Sequence, residues 1–156
     1  MIRPEAPGDA AAVSALLTRA FGGPAEADLV DRLRADGDAA ISLVADRGGV
    51  CGHVLLSPMV APFPALALAP LAVAPERQRQ GIGAALVTAA LAAAAEWRAV
   101  FVLGDPAYYR RLGFDAALAA GFDSPYAGPH LMVRPLGGPL PARAGAIRHA
   151  PAFAAI

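Results

Sequence analysis

The sequence predicts an α/β fold: one mixed sheet with helices on both faces. Three observations predict it. Two apolar, β-rich runs, Ile41–Ala45 and Val50–Leu56, flank the turn segment Asp46-Arg-Gly-Gly49, which is a hairpin signal. Two later helical segments each separate a pair of strands, as crossovers do. Between them, Val100–Leu103 is short and wholly apolar, the composition of a central strand.

The elements follow in order. Met1–Arg3 reads as a first strand. Pro7-Gly-Asp9 opens a helix, with Asp9 as its cap and Val13, Leu16, Leu17 and Ala20 on one face. Gly22-Gly-Pro24 stops it. Ala25–Arg34 repeats the pattern with Leu29, Val30 and Leu33 inward. After the hairpin, Leu66–Val73 is the next strand. A long alanine-rich helix surrounds Val87 and Leu91, in a segment that runs from Ala84 to Trp97. Asp105 and Pro106 are a helix cap and a first-turn proline, and Gly113 ends that helix. Leu131–Arg134 is a late strand. The tail from Pro135 is rich in Pro, Gly and Ala and carries little pattern.

The chain has 156 residues, 56% hydrophobic and 17% charged, which suits one folded domain over 1–156: a core over 1–134 and a C-terminal extension over 135–156. Lys plus Arg and Asp plus Glu are each 13, so no net field draws the protein to nucleic acid or an anionic membrane. Every basic residue counted there is Arg. The single cysteine, Cys51, excludes an internal disulfide and a cysteine-based metal cluster, and reads as a small buried residue. No metal is expected. The uncharged stretch after Gly49 is long, but Pro58, Pro62, Pro64, Pro70 and Pro75 break any helix through it. No signal peptide is legible, and a soluble, cytoplasmic protein is expected. Low charge permits a homodimer without requiring one.

The chemistry concentrates in Leu71–Gly83 and the helix that follows: strand, glycine turn, helix. A helix beginning at such a turn offers unpaired N–H groups and a positive dipole end to phosphate. The P-loop needs a lysine, which the chain lacks. The dinucleotide fingerprint needs a glycine where Leu86 stands. What remains is Gln78-Arg79-Gln80-Gly81-Ile82-Gly83, a Q-x-x-G-x-G pattern, with Tyr108-Tyr-Arg-Arg-Leu-Gly-Phe114 downstream. Taken alone, the residues allow Gly81 and Gly83 to form only a tight turn, and Pro70 only to end an edge strand.

In this order the motifs resemble the GNAT superfamily of N-acetyltransferases over about Met1–Arg134, and most closely its small bacterial members. The resemblance implies a mostly antiparallel sheet splayed between the Leu66–Val73 and Val100–Leu103 strands, with acetyl-CoA as co-substrate. The backbone amides of Arg79, Gln80, Gly81, Gly83 and Ala84 would hold the pyrophosphate, within a motif that includes Gln78 and Ile82. Arg77 or Arg79 would meet an outer phosphate. The main chain of Leu71, Ala72 and Val73 would bond the pantetheine arm as an added strand, with Pro70 marking the splay. Tyr109 takes the place of the family's tyrosine acid, five residues before Phe114. Full proton transfer from it needs a lowered pKa, for which Arg110 and the helix end are the candidates; a hydrogen bond to the thiolate serves equally. Packing aromatics are the plain alternative for Tyr108 and Tyr109.

The acceptor is expected to be an amine of a small molecule or a protein. His53, Glu26 and Asp28 are candidate bases, His53 reading more readily as a structural histidine. Glu76 is expected to be solvated. The first two helices and the Pro58–Pro64 loop would shape the acceptor site. A non-catalytic acyl-CoA-binding or regulatory protein is the alternative function.

Overall fold

The computed structural model describes residues 1–156. Its six-stranded sheet has the order β1-β2-β3-β4-β5-β7. The strands are β1 (Ile2–Pro4), β2 (Ile41–Asp46), β3 (Val50–Met59), β4 (Ala65–Val73), β5 (Ala99–Leu103) and β7 (Leu131–Pro135). All neighbours are antiparallel except β4 and β5, which run parallel because α3 (Ile82–Ala93) crosses over between them. The remaining helices are α1 (Ala10–Phe21), α2 (Ala25–Ala35), α4 (Pro106–Arg110) and α5 (Ala116–Ala119). Two short strands, β6 (Phe122–Asp123) and β8 (Gly145–Ala146), pair in parallel beside the sheet.

The two faces follow from strand alternation on β3. A side chain at Gly52 would strike Leu86 and Ile82 of α3, at 2.9 and 3.1 Å, so glycine here lets α3 seat directly on the sheet. His53, the next residue, points the other way. It is fully buried, with Nε2 2.9 Å from Ser42 Oγ and 3.4 Å from Glu5 Oε1. Glu5 also pairs with Arg34 of α2. Arg34 thus brings α2 to the face opposite α3, while α1 packs directly on β3 and β4, and His53 is a buried structural histidine.

Several boundaries differ from the sequence pattern for physical reasons. The strand β3 continues past Leu56 through Pro58. The ladder with β2 ends at Ile41↔Leu56, so Pro58 lies where no donor is required on that side. The helix α3 stops at Ala93 rather than continuing to Trp97. Asp9 does not cap α1: its carboxylate accepts from the Ala6 amide (2.7 Å) and pairs with Arg3. Glu76 is exposed but not merely solvated, since Arg19 of α1 binds both its oxygens at 2.8 and 2.7 Å.

The tail folds back. Val60 and Arg148 exchange backbone hydrogen bonds, Phe153 packs into the main core, and its 3-10 turn lies against α2. Phe63, Phe101 and Phe122 form a second aromatic cluster, their ring centroids 5.4–6.4 Å apart. No helix is long and apolar enough to cross a membrane.

Candidate active site

The site begins where β4 and β5 part. They pair from Ala65↔Ala99 to Leu68↔Val102, and β4 then continues to Val73 without β5, still paired with β3. Between Leu56↔Leu68 and Val54↔Leu71 the β3–β4 register slips by one residue, a bulge at Ala69-Pro70. Proline has no N–H for the ladder, which explains why the slip falls there. The sheet therefore opens a notch whose one wall is the main chain of Leu71, Ala72 and Val73.

At the mouth of the notch lies the glycine turn. Gln78 is exposed, and its side-chain amide donates to the Val73 carbonyl (3.2 Å), fastening the turn to the end of β4. Arg79 has φ 63°, a left-handed conformation that costs a non-glycine residue about 1 kcal/mol. Gly81, at φ 81°, sets the start of α3, whose first turn has no side-chain cap. No backbone amide from Gln78 to Ala84 donates within the chain. Such a run of uncommitted N–H groups through a left-handed turn is an anion-binding concavity. Ile82 is buried and anchors the helix start; Arg79, Gln80 and Gly81 are exposed, and Arg77, Gly83 and Ala84 are half-buried. A side chain at Gly83 would come within 2.8 Å of the Tyr108 hydroxyl, so Tyr108 reaches from α4 to the first turn of α3.

Tyr109 lies at the inner end. Asp105 caps α4 by accepting from the Ala107 amide (3.0 Å), which orients the helix and both tyrosines. The Tyr109 ring meets Tyr108 and Phe114 edge-on, with centroids 5.0 and 5.5 Å away, and one edge rests on Gly104. Its hydroxyl has no hydrogen bond within the chain, and the residue lines a cavity of about 280 Å³. Burial pushes its pKa up to about 12, with a smaller push from neighbouring Tyr108. No arginine charge lowers it, so Arg110 does not act as the sequence suggested. The nearby arginine charge acts instead on Tyr108, where Arg111 partly offsets the upward effect of burial.

Beyond Tyr109 the cavity is walled by α1, α2, β4 and the tail. Glu26 lines it; Asp28 opens into a different groove, and His53 is enclosed on the far side. The Pro58–Pro64 loop does not line this cavity, though its Val60 lines the adjoining groove with Tyr126 and His149. Its expected place is filled by Tyr126, His149 and Phe153. His149 is half-buried, edge-on to Tyr126 and tilted on Phe153, with both centroids 5.0 Å away. Burial lowers its pKa below the ordinary histidine value. Sequence reasoning missed these residues because they belong to no periodic element; the one signal was an apolar Phe153 near a histidine in an otherwise featureless tail.

Known proteins share this architecture. A family model for the acetyltransferase (GNAT) domain matches residues 38–116. The uncharacterized N-acetyltransferase YhbS of Escherichia coli strain K12 is 44% identical over 124 residues, 75% of this chain and 74% of its own. The crystal structure of the E. coli YhbS protein in complex with CoA has 35% identity and a TM-score of 0.88, covering 99% of this chain and 91% of that one. A Brucella melitensis GNAT acetyltransferase in complex with acetyl-CoA has 34% identity and a TM-score of 0.83, covering 98% and 97%. The chain belongs to the GNAT family of N-acetyltransferases.

Proposed function

We propose that the protein transfers an acetyl group from acetyl-CoA to an amine by direct attack of the amine nitrogen on the thioester. The observation that carries this reading is the continuity of the site. The uncommitted amides of the glycine turn lead along the exposed edge of β4 into the cavity at Tyr109.

In this reading the amides of Arg79, Gln80, Gly81, Gly83 and Ala84 hold the pyrophosphate. Gln78 and Ile82 keep the turn in shape, and Arg77 or Arg79 meets an outer phosphate. The main chain of Leu71, Ala72 and Val73 pairs with the pantetheine arm, as a peptide pairs with a sheet edge. The same open edge offers amides to polarise the thioester carbonyl. Tyr109 serves the leaving sulfur. With the phenol at about 12 and a free thiol near 8.5, full proton transfer is uphill by about 5 kcal/mol. Tyr109 therefore acts by a hydrogen bond to the developing thiolate. We also propose that residues 1–156 form one acetyltransferase domain. The packing of Phe153 into the same core as Leu16 supports this.

Thiol release from acetyl-CoA over a panel of amines, beside calorimetric titration with acetyl-CoA, tests the reading. Binding with amine-dependent thiol release is expected. Binding with no release on any amine would favour a non-catalytic acyl-CoA-binding role.

A further inference from the structure

The cavity beyond Tyr109 has the wrong character for a highly charged acceptor. Its walls include Phe21, Leu29, Leu71, Leu103 and Phe153. Its only acidic side chain is Glu26, and its other polar side chains are Tyr109, Tyr126 and His149. A second cation brought inside would find no second acidic side chain, and a desolvated charge without a partner is costly. At about 280 Å³ it falls at the small end of ligand pockets, suited to an aliphatic chain or a single ring.

An amine also arrives protonated at neutral pH and must lose that proton before it can attack. Most candidate bases are otherwise engaged. His53 is enclosed and bonded to Ser42, Glu76 is bound by Arg19, and Asp28 opens elsewhere. His149 is different. Two aromatic rings fix its imidazole at the cavity wall, and neither ring nitrogen has a hydrogen-bond partner within the chain.

We propose that this cavity is the acceptor site for a small primary amine on an apolar body, with His149 as the base and Glu26 facing the ammonium charge. The proposal rests on the acetyl-transfer reading above. The ammonium loses one proton to solvent, and its neutral form reacts. The free nitrogen attacks, the C–N bond forms and the C–S bond breaks. As that bond forms the nitrogen turns acidic and gives its second proton to His149, which passes it to solvent while the coenzyme sulfur takes one up, giving amide, thiol and one proton released. Burial keeps the imidazole neutral at pH 7, ready to accept. Its ring contacts are Tyr126 and Phe153; Glu26 from α2, Tyr109 from α4 and Ile156 at the end of the tail share the cavity wall, and Arg148, its chain neighbour, lines the adjoining groove.

The test is steady-state thiol release with acetyl-CoA and butyl-, pentyl- and hexylamine, phenethylamine, spermidine and lysine, from pH 5 to 9. On the unaltered protein, kcat/KM should rise about fourfold per methylene along the alkyl series, the increment expected for burying a CH₂. Spermidine and lysine should lie far below hexylamine. His149→Gln and His149→Phe, the latter keeping the aromatic stack, should lower kcat at least about tenfold and abolish the acidic limb of the profile. Glu26→Gln should raise the amine KM with less effect on kcat. Equal or better turnover of spermidine or lysine overturns the acceptor class and leaves acetyl transfer standing. Full kcat with an unchanged acidic limb in both His149 variants overturns the base. Coenzyme binding with no transfer to any amine overturns the acetyl-transfer reading and this proposal together. If both variants lose coenzyme binding through misfolding, the alkylamine series on the unaltered protein still decides the acceptor class.

Discussion

At the residue scale, Tyr109 shows how burial sets a chemical role. A phenol at about 12 stays protonated throughout the working range, so it is always a donor and never a base. Tyr109→Phe keeps the ring between Tyr108 and Phe114 and removes only the donor. It should lower kcat at least about tenfold, with coenzyme A affinity by calorimetry unchanged. Because the folded pKa is raised, ionisation of Tyr109 begins only as pH approaches about 12, and kcat should show no loss from this group up to about pH 10. Gly104 provides the space: a Cβ there would lie 2.6 Å from the Tyr109 ring. Gly104→Ala must displace the ring and should reduce kcat about as much as removing the hydroxyl. Comparing the two variants under saturating amine checks both expectations. The position of Tyr109 was legible in the Tyr108–Phe114 spacing. Its proton affinity was not, because the burial that raises it comes from packing distant in sequence.

At the element scale, the proposed donor side lies at the junction of β4, the glycine turn and α3. The local geometry there was legible because backbone shape leaves marks in sequence: Pro70 at the bulge, and Gly81 at a left-handed φ. Gln78 was recognisable as a motif residue, yet its bond to the Val73 carbonyl was not, since that partner is defined only when the turn closes. Gly83 makes a sharper test. A methyl there would lie 2.8 Å from the Tyr108 hydroxyl, on the helix turn that would meet the phosphates. Gly83→Ala should raise the coenzyme A dissociation constant about tenfold, the loss of roughly one hydrogen bond's worth of binding. Tyr108→Phe in the same chain should recover part of that loss, because the two sites share one clash and their effects are not additive. Calorimetry on the four proteins of the cycle measures it; strict additivity would show that Tyr108 is not the obstruction.

At the scale of the whole molecule, two long-range constructions tie the elements together, and neither follows from local pattern. One is the tail, whose residues gain meaning only when Arg148 pairs with Val60 and Phe153 enters the core. The other is the polar cluster of Glu5, Ser42, His53 and Arg34, which joins β1, β2, β3 and α2. Burial alone would raise the Glu5 pKa, but hydrogen bonds from His53 and Ser42 and the charge of Arg34 hold it at about 2. A carboxylate whose folded pKa is depressed contributes stability above its unfolded value and loses it as pH falls through the folded one. Glu5 should therefore support the fold fully above about pH 4.5 and progressively less down to about pH 2. His149 titrates earlier. Its folded pKa lies below 6.5, so the unfolded chain takes up the proton first and a shallow loss begins as pH drops below 6.5. Urea unfolding from pH 7 to 2.5 should show both phases. Glu5→Gln should lower stability at pH 7 by about 1–3 kcal/mol, because Arg34 and Ser42 lose a charged partner. It should also flatten the steep phase below pH 4.5 while leaving the shallow one. An unchanged acid slope in that variant would show that the carboxylates of Asp9 and Asp46, both paired with Arg3, set the acid limit instead.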